Sequence, residues 1–487
     1  MTTYSIKTPV KNITSDSRKV QPGSLFLAYP GDKSDGRNYI TDAIANGAST
    51  VLWESGDSSN SFEWNAEWNV ENKPIKQLRA QASTIASQFY NNPSTKMWMI
   101  GVTGTNGKTS ISQWLSQCFN HLGNKTAVIG TLGNGLAFIN GQPSQLSPTQ
   151  NTTPDAAMLQ EMLAEYVKQD VKTVAMEVSS HGLHQNRVKG VHFDVAVLSN
   201  LTRDHLDYHG SFEAYADEKR RLFVENELKC AVLNVDDEFG LKIEAELIGA
   251  GTKVLSYGID SGDVRATELH FKDTHFAFYA HTPYGNAPVK ANLIGRFNVY
   301  NVLAVLATLL ASNISLDDAV AAISHIESAA GRMQQLGGGD LPLVVVDYAH
   351  TPDALEKVLL ALKAQASAKL ICIFGCGGNR DVGKRALMGK IASEIADAVV
   401  VTSDNPRDEN PDKIIQDIVG AMQGNYAVEE DRAKAISIGI LSAKPHDIVL
   451  IAGKGHEDYQ EIAGKKQHFN DVEQAQNVLK VYQGMSR

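Results

Sequence analysis

Short apolar runs alternate with longer stretches of helical patterning along most of the chain. The runs have the length of strands and are rich in β-branched residues, and several lead directly into polar or Gly-rich segments. They predict strands at residues 97–102, 173–176, 195–198, 231–235, 343–346, 370–374, 398–401 and 448–451. Strands that alternate with helices predict an α/β fold with mainly parallel sheets, whose ligands bind beyond the carboxyl ends of the strands.

Two breaks in this pattern divide the chain into three predicted domains. A length of 487 residues exceeds what one hydrophobic core supports, and a prior of about 150 residues per domain also suggests three. The first break is Asn-Asn-Pro-Ser at 91–94, and the second is Gly-Gly-Gly-Asp at 337–340. We therefore predict an N-terminal domain at 1–94, a central domain at 95–334 and a C-terminal domain at 335–487.

The composition is that of a soluble globular protein and excludes several classes of partner. A net charge of −10, with 43% hydrophobic and 21% charged residues, argues against general affinity for nucleic acid or anionic membranes, although a local basic site for an acidic small molecule remains possible. The most apolar stretch, 302–311, is shorter than the ~20 residues that span a bilayer, and MTTYSIKTPVKN lacks the apolar core of a signal peptide. No zinc-like spacing relates the cysteines, so we expect reduced thiols in the cytoplasm. They are Cys118, Cys230, Cys372 and Cys376.

A Gly-rich turn joins a predicted strand to a predicted helix in MWMIGVTGTNGKTS, residues 97–110. The backbone N–H groups of such a turn point at phosphate oxygens, Lys108 would neutralise the β- and γ-phosphates, and the Thr109 hydroxyl would bind Mg²⁺. The usual spacing requires glycine at the position of Val102. A tight turn without a ligand is the alternative, but Gly-Lys-Thr between a strand and a helix favours nucleotide binding.

Polar side chains near later strand ends predict a magnesium site beside this loop. Glu177 ends one predicted strand in AMEVSSHGLHQNRV, His205 follows the next in LSNLTRDHLDYHG, and Lys219 lies on a predicted helix. Mg²⁺ prefers oxygen ligands, which favours Glu177 over His205. Taken singly, each residue is explained equally well by a structural role. An ammonium cannot bind a metal, so Lys219 would need conversion to a carbamate, which its sequence context alone does not justify.

The segment TSDNPRDENP, residues 402–411, follows a predicted strand directly. Pro406 restricts the backbone, and Arg407 beside it offers a planar guanidinium that suits a carboxylate or phosphate. A surface turn without a ligand is the alternative.

Several motifs resemble those of the Mur ligase family of bacterial cell-wall synthesis. They are GVTGTNGKTS, NTTPD, AMEVSSHGLHQNRV, SNLTRDHLDYHG, GRFNVYN and VVDYAHTPDAL, and TSDSRKVQPGSLFLAYPGDKSDGRNYI extends the likeness to the N-terminus. The resemblance implies a cytoplasmic monomer with a smaller α/β N-terminal domain, a central P-loop-type ATPase domain with a mainly parallel sheet, and a Rossmann-like C-terminal domain. It also implies ATP-dependent extension of the peptidoglycan stem peptide, a step that serves cell shape, cell division and the cell cycle.

The resemblance assigns roles to residues of all three predicted domains. The ATP-binding residues that it implies are Gly104, Thr105, Asn106, Gly107, Lys108, Thr109, Ser110, Asn298, Asn301, Arg332 and Asp347. The catalytic residues that it implies are Lys108, Glu177, His205, Lys219 and His350. The Mg²⁺ ligands that it implies are Thr109, Glu177, His205 and Lys219, the last carbamylated by carbon dioxide. The residues that it implies for the UDP-sugar peptide are Ser15, Ser17, Asp32, Lys33, Ser34, Asn151, Thr152, Thr153, Ser179, Gln185 and Arg187.

Within the family, DNPR is the motif of members that add diaminopimelate, and lysine-adding members carry another. Diaminopimelate resembles lysine with an additional carboxylate, which Arg407 could bind through two parallel hydrogen bonds. The residues that the resemblance implies for this amino acid are Arg380, Asp404, Asn405, Pro406, Arg407, Gly453 and Glu457. We therefore expect addition of meso-2,6-diaminopimelate to UDP-N-acetylmuramoyl-L-alanyl-D-glutamate through an acyl phosphate.

Two other functions are weighed against this expectation. A lysine-adding or folylpolyglutamate-type ligase of the same superfamily is the nearer one, and DSR near the N-terminus together with DNPR argues against it. A nucleotide-binding switch or motor ATPase is the more distant one. That class holds magnesium with an aspartate at a strand end, which the set of Glu177, His205 and Lys219 fits poorly.

Overall fold

The computed structural model describes residues 6–32, 34–56, 62–139, 142–149, 151–272 and 274–485. The chain divides into two compact units. One comprises residues up to Val264 together with Ala304–Ala322, and the other comprises Arg265–Leu303 together with residues from Ile323 onward. No helix in the described ranges is long and apolar enough to cross a membrane.

The first unit begins with a small parallel sheet. Its strands, in the order β1-β2-β3-β4, are β1 (Asn12–Thr14), β2 (Ser24–Ala28), β3 (Ala48–Glu54) and β4 (Glu71–Ile75). Its helices are α1 (Ile40–Ala45) and α2 (Leu78–Phe89). Leu25 and Leu27 pack in one hydrophobic cluster, and Phe26 and Ala28 pack in another. Both faces of β2 are therefore covered, which explains its continuous apolar sequence.

A larger, mainly parallel sheet follows in the same unit. The strands of this segment are β5 (Trp98–Thr103), β6 (Thr126–Gly130), β7 (Gly133–Leu136), β8 (Phe138–Ile139), β9 (Gln142–Pro143), β10 (Thr173–Glu177), β11 (Val195–Leu198), β12 (Cys230–Asn234) and β13 (Val254–Gly258). The helices are α3 (Lys108–His121), α4 (Ala156–Lys168), α5 (Ser180–His184), α6 (Leu206–His209), α7 (Phe212–Val224) and α8 (Glu238–Gly249).

The strand order in this part of the sheet is β13-β12-β11-β5-β10-β6-β7. The neighbours from β13 to β6 pair in parallel, and β7 pairs antiparallel with β6. The chain leaves β5 for β6 on one side, and it later adds β11 to β13 on the other side. The loop after β5 thus starts at the point where the strand order reverses, which is where open α/β sheets bind ligands.

The second unit begins with an antiparallel meander and a helical segment. The strands are β14 (Val264–Phe271), β15 (Phe276–Thr282) and β16 (Gly285–Ala291). The helices that follow along the chain are α9 (Arg296–Ala311), which begins in this unit, and α10 (Leu316–Ile323). Residues Ala304–Ala322, which comprise the rest of α9 and nearly all of α10, belong to the first unit. Residues 302–311, the most apolar stretch of the sequence, lie within α9 and are buried.

A second α/β sheet completes this unit, in the order β17-β18-β22-β19-β20-β21. It is parallel apart from β17, which pairs antiparallel with β18. The strands of this segment are β17 (Gln334–Gly337), β18 (Leu343–Asp347), β19 (Leu370–Phe374), β20 (Ala398–Val401), β21 (Tyr426–Val428) and β22 (Ile448–Ala452), and a separate hairpin contains β23 (Tyr459–Ile462) and β24 (Lys465–His468). The helices are α11 (Pro352–Gln365), α12 (Gly383–Ile395), α13 (Pro411–Val419), α14 (Arg432–Ser442) and α15 (Asp471–Met485).

The predicted fold class is confirmed, and each predicted strand is present within one residue at either end. The glycine run at 337–340 lies between two paired strands. It forms the turn that connects β17 to β18, because Gly337, Gly338 and Gly339 have φ of 75°, 87° and 68°, values that favour glycine. The predicted boundary between residues 334 and 335 falls inside β17.

The cysteines are free thiols, and all of them lie in hydrophobic interiors. Burial raises the pKa of Cys230 to about 11 and that of Cys376 to about 12, and it raises the pKa values of Cys118 and Cys372 as well. The thiolate is the reactive form. We therefore expect iodoacetamide at pH 8 to leave the native protein unmodified over a time in which the urea-unfolded protein becomes fully alkylated, as measured by intact mass. Alkylation of the native protein at the unfolded rate would contradict this burial.

Candidate active site

The phosphate loop, residues 104–107, connects β5 to α3. Gly104 and Gly107 have φ of 142° and 87°, where glycine is favoured. A Cβ on Gly104 would overlap the hydroxyl of Ser199, so no larger residue fits there. Lys108 begins α3, and its Nζ donates to two carbonyl groups of the loop at 2.8 and 2.9 Å. The ammonium therefore lies over the loop, within reach of a phosphate bound by the backbone N–H groups.

Glu177 ends β10 and is fully buried beside the start of α3. Its carboxylate accepts a hydrogen bond from Thr109 Oγ1 at 3.0 Å, and it accepts two from Thr131, from the backbone N–H at 2.8 Å and from Oγ1 at 3.1 Å. Thr131 Oγ1 also shares a hydrogen bond of 3.1 Å with Thr152 Oγ1. Carboxylate and hydroxyl oxygens are the ligands that Mg²⁺ prefers. Glu177 and Thr109 therefore fit a magnesium site.

Lys219 reaches the phosphate loop from α7. The residue is 1% exposed, and its Nζ donates to the carbonyl of Gly104 at 2.8 Å. Nζ also lies 4.7 Å from the centre of the Tyr215 ring. Burial, followed by the nearby charge of Lys108, holds the pKa of Lys219 well below its ordinary value. An uncharged amine can add carbon dioxide and release a proton, so this environment fits the carbamate that the family resemblance implies.

A cavity of about 310 Å³ opens beside these groups. Its lining residues are Lys108, Asn151, Thr152, Ser179, Ser180, His181, Arg187, His205, Tyr215 and Lys219. Most of them are predicted site residues that lie far apart in the sequence, and the fold brings them to one place. The sequence analysis assigned no role to Ser180, His181 or Tyr215.

Two histidines of this cavity face each other. The ring centres of His181 and His205 are 4.8 Å apart, with nearly perpendicular planes. Burial, with the charges of His205 and His209, lowers the pKa of His181 to about 4, and burial also lowers the pKa of His205. Both rings are therefore neutral near pH 7. His205 Nε2 lies 3.5 Å from Asp204 Oδ2, and its nitrogen ligand suits Mg²⁺ less well than the oxygens of Glu177.

Asp32, Gln185 and Arg187 form one connected network. Asp32 accepts hydrogen bonds from Gln185 Nε2 at 2.6 Å and Tyr208 OH at 3.0 Å, and it forms an ion pair with Arg79 at 2.6 Å. The hydrogen bond from Arg79 contributes most to lowering the pKa of Asp32. Arg187 donates from Nε and Nη2 to Gln185 Oε1 at 2.9 and 2.6 Å. This network joins the N-terminal segment to the cavity, since Arg187 is part of the cavity lining.

Several of the other residues predicted to bind the UDP-sugar peptide take part in hydrogen bonds within the protein. Ser15 Oγ donates to Asp155 Oδ2 at 2.9 Å, and Asp155 caps α4. Thr153 Oγ1 donates to the carbonyl of Glu177 at 3.0 Å and accepts from the backbone N–H of Ser179 at 2.9 Å. Three positions complete the group: Ser17, which is buried; Ser34, whose carbonyl accepts from Gly31 N at 2.8 Å; and Lys33, which lies outside the described residues.

Two of the predicted ATP-binding residues, Asn298 and Asn301, lie in the second unit and form a hydrogen bond with each other. Asn301 Nδ2 donates to Asn298 Oδ1 at 2.9 Å, and Asn298 Nδ2 donates to the carbonyl of Ile294 at 2.8 Å. Both asparagines are buried at the start of α9. These hydrogen bonds fix the start of the helix.

Asp347 and His350 follow β18 in the second unit. Asp347 is buried, and its carboxylate accepts from the backbone N–H groups of Met333 and Ala349, both at 2.8 Å. Burial raises the pKa of Asp347 and lowers the pKa of His350. His350 Nδ1 lies 2.8 Å from the carbonyl of Tyr348. The guanidinium of Arg332 lies 4.9 Å from the centre of the Tyr348 ring.

The residues predicted to read the amino acid meet at the carboxyl ends of β20 and β22. Asn405 Nδ2 donates to Glu457 Oε2 at 2.9 Å, and Lys454 Nζ donates to Asn405 Oδ1 at 3.1 Å. Lys454 is fully buried and lies 3.8 Å from Asp404 Oδ1 and 3.3 Å from Glu457 Oε2. The sequence analysis missed this lysine. It neutralises two carboxylates that burial would otherwise disfavour.

Arg407 and its neighbours complete this group. Arg407 has a φ of 51°, and its Nη1 donates to the carbonyl of Gly378 at 2.7 Å. A Cβ on Gly378 would overlap the carbonyl of Pro406, so glycine is required where the two loops touch. Gly453 has a φ of 117°, and a Cβ there would contact Asp404 Oδ2. Arg380 is exposed beside the same loop.

Comparisons with known proteins agree with this architecture. Three family descriptions match the chain: "Mur ligase family, catalytic domain" at residues 9–90, "Mur ligase middle domain" at 102–309, and "Mur ligase, glutamate ligase domain" at 331–455. A UDP-N-acetylmuramoyl-L-alanyl-D-glutamate–2,6-diaminopimelate ligase of Chromobacterium violaceum is 49% identical over 474 residues, which are 97% of this chain and 94% of that protein. The chain belongs to the Mur ligase family.

Solved structures show the same fold. A structure of a UDP-N-acetylmuramoyl-L-alanyl-D-glutamate–2,6-diaminopimelate ligase matches with a TM-score of 0.72 and 36% identity, and the match covers 98% of this chain and 96% of that chain. A MurF ligase from Thermotoga maritima, solved in complex with ADP, matches with a TM-score of 0.64 and 16% identity over 99% of this chain and 100% of that chain. The second likeness is one of fold alone.

Proposed function

We propose that this protein is an ATP-dependent ligase that joins meso-2,6-diaminopimelate to UDP-N-acetylmuramoyl-L-alanyl-D-glutamate in peptidoglycan precursor synthesis. The observation that carries the proposal is the assembly at the ends of β20 and β22, where a guanidinium, the buried carboxylate of Asp404 and two partly buried carboxylates lie within one group. A diacid with an ammonium group beside its far carboxylate matches these charges. The name of the relative from Chromobacterium violaceum supports the same substrate pair.

ATP is proposed to bind at the phosphate loop, with Lys108 above its β- and γ-phosphates. The loop lies at the reversal of strand order and presents backbone N–H groups at the start of α3, both of which favour a phosphate. Thr109, Glu177, His205 and carbamylated Lys219 are the proposed holders of Mg²⁺. When bound there, Mg²⁺ would offset the negative charge that develops on the transferring phosphoryl group.

The UDP-sugar peptide is proposed to place its D-glutamyl carboxylate in the cavity next to this loop. Asn151, Thr152, Ser179 and Arg187 line that cavity and offer hydroxyl, amide and guanidinium donors to the carboxylates and phosphates of the substrate. Arg187 is oriented by Gln185, which Asp32 in turn holds. The N-terminal segment thus supports the substrate site through a chain of hydrogen bonds.

The reaction proposed has two steps. An oxygen of the D-glutamyl side-chain carboxylate attacks the γ-phosphorus of ATP, the bond to the β-phosphate oxygen breaks, and ADP leaves an acyl phosphate behind. The amine of diaminopimelate then attacks the acyl carbon, the C–O bond to phosphate breaks, and inorganic phosphate leaves. The amine gives up its proton as the amide forms. His350 is the proposed acceptor, because burial lowers its pKa and keeps the ring neutral near pH 7.

Arg407 is proposed to select the diacid. Its guanidinium would bind the far carboxylate of diaminopimelate, while Asp404 and Glu457 would meet the ammonium group beside it. Lysine would leave the remaining N–H donors of the guanidinium without a substrate carboxylate, and a site built for a polar group rejects analogues that lack it by about 10⁴ or more when the group is buried. Arg380, Asn405, Pro406 and Gly453 complete the proposed pocket.

We further propose that the protein acts in the cytoplasm as a monomer, with three domains at 1–94, 95–334 and 335–487 that each contribute to one of the substrates. Free, buried thiols suit a reducing compartment. Through the wall precursor, the activity would serve cell shape, cell division and the cell cycle.

Phosphate release and product mass test this function together. We expect release of phosphate from ATP only when both the nucleotide precursor and diaminopimelate are present, because the acyl phosphate needs one and its discharge needs the other. The product should have the mass of the two substrates minus water. Phosphate release with neither substrate would indicate a switch or motor ATPase, and equal use of lysine or glutamate would indicate a different ligase of the superfamily.

A further inference from the structure

The hairpin of β23 and β24 lies against the loop that carries Arg407. The backbone N–H of Arg407 donates to the carbonyl of Glu461 at 3.0 Å, and the N–H of Ala463 donates to the carbonyl of Arg407 at 2.7 Å. The N–H of Glu461 donates to Asn405 Oδ1 at 2.9 Å. Gln460 Nε2 adds a hydrogen bond of 2.7 Å to the carbonyl of Asp404. The hairpin and the loop are thus joined along several consecutive residues.

These backbone hydrogen bonds hold Arg407 in an uncommon conformation. Its φ of 51° lies in the left-handed region, which residues other than glycine seldom adopt. Such a conformation persists where the surrounding structure over-determines it. The β-bridge between Arg407 and Ile462 supplies that constraint. The side chain of Arg407 then reaches the turn that contains Gly378.

The guanidinium of Arg407 has two fixed contacts on different nitrogen atoms. Nη1 donates to the carbonyl of Gly378 at 2.7 Å, and Nε lies 3.6 Å from Glu461 Oε2. The side chains of Arg407 and Glu461 are 19% and 24% exposed, so the pair is only partly screened by water. One hydrogen bond together with one ion pair restricts the orientation of this planar group, and a guanidinium has more N–H donors than these contacts use.

We propose that Glu461 is a specificity-determining positioning residue, which aims the guanidinium of Arg407 so that its remaining N–H donors meet the far carboxylate of the diacid. This inference rests on the proposed function. Glu461 carries the same charge as that carboxylate, so its contribution is orientation and not attraction. A substrate without the far carboxylate gains nothing from the orientation. Glu461 therefore affects the choice of amino acid and not the handling of ATP.

Substitution of Glu461 in the full-length protein tests this proposal. We expect Glu461→Ala to raise KM for diaminopimelate about 10-fold, as for a residue that orients another ligand-binding group, with kcat and KM for ATP changed by less than about 2-fold. Glu461→Gln keeps an oxygen that can accept from Nε, and its KM should lie between those of the wild type and Glu461→Ala. Lys465→Ala is the matched control, because Lys465 is exposed on the other strand of the same hairpin, and it should behave as the wild type.

A double variant separates positioning from general support of the fold. In an Arg407→Ala background, Glu461→Ala should add less than about 2-fold to KM for diaminopimelate, because the group that it orients is absent. An equal 10-fold loss in both backgrounds would overturn the proposal, as would an unchanged KM in Glu461→Ala. An equal rise of KM for lysine would also overturn it, since this would place Glu461 on the ammonium group that both amino acids share.

The wild-type assay distinguishes failure of this inference from failure of the proposed function. If the wild type does not use diaminopimelate at all, the proposed function and the positioning role both fall. If the wild type uses diaminopimelate and Glu461→Ala matches it in KM and in preference for the diacid over lysine, the positioning role alone falls.

Discussion

Lys219→Ala is expected to lower kcat about 10³-fold while leaving the protein folded. The lysine is buried against the phosphate loop, and as a carbamate it would supply carboxylate oxygens to the Mg²⁺ that offsets phosphoryl charge. Loss of that ligand removes several kcal/mol of transition-state stabilisation, and each 1.4 kcal/mol is worth about a factor of ten. Phosphate release under saturating substrates measures the loss. Short carboxylates such as acetate should restore part of the activity, because they can occupy the space of the carbamate.

The controls for this prediction show whether the loss of activity comes from the missing Lys219 side chain or from a disturbed fold. Lys242→Ala removes an exposed lysine of α8 and should keep wild-type activity. Circular dichroism should show that Lys219→Ala keeps its secondary structure, since removal of a buried amine takes away a group that burial disfavours. Wild-type turnover in Lys219→Ala without added carboxylate would contradict a role for this residue.

Arg407→Ala is expected to raise KM for diaminopimelate about 10²-fold or more. Removal of one partner of a desolvated charge pair costs about 2–5 kcal/mol, part of which comes from the carboxylate left without a partner. Preference for the diacid over lysine should fall by a similar factor, because lysine has no far carboxylate to lose. Initial rates with each amino acid, measured with saturating ATP and nucleotide precursor, give both quantities.

Binding of ATP should be nearly unchanged in Arg407→Ala. Arg220→Ala is a matched control, since it removes a partly exposed arginine that pairs with Glu246 on a neighbouring helix, and exposed pairs contribute little. An equal rise of KM for ATP and for diaminopimelate in Arg407→Ala would argue that the substitution disturbs the whole protein. Unchanged selectivity would refute the assignment of Arg407 as the selecting group.

Much of the architecture follows from local sequence patterns. The strands of a sheet covered on both faces are short, continuous apolar runs, and β11, β19 and β20 begin and end where those runs do. The phosphate loop was predictable despite Val102, because Gly104, Gly107 and the Lys-Thr pair occur between a strand and a helix. The turn at 337–340 could not be distinguished from a flexible connection, since three glycines serve both equally well.

The partners of the predicted residues could not be read from the sequence. Asp32 and Gln185 were both predicted as substrate contacts, and the fold brings them together at 2.6 Å. Asn298 and Asn301 also bond to each other. Thr131 has no motif of its own, and it reaches Glu177 only because β6 and β10 are neighbours that end at the same edge. The end of the apolar run at 126–130, which the sequence analysis did not predict as a strand, was the signal that could have found it.

The sequence by itself determined the α/β class, half of the strands of the two larger sheets, the phosphate loop and the charged residues from which a diacid pocket can be built. These features depend on backbone propensity, apolar periodicity and residue chemistry over short distances along the chain. The tertiary structure alone decided that Lys219 is buried beside Gly104, that Lys454 lies between two carboxylates, and that Glu461 reaches Arg407. Burial lowers the pKa of Lys219, and long-range pairing sets the orientations of Lys454 and Arg407, because burial and pairing both depend on which strands become neighbours.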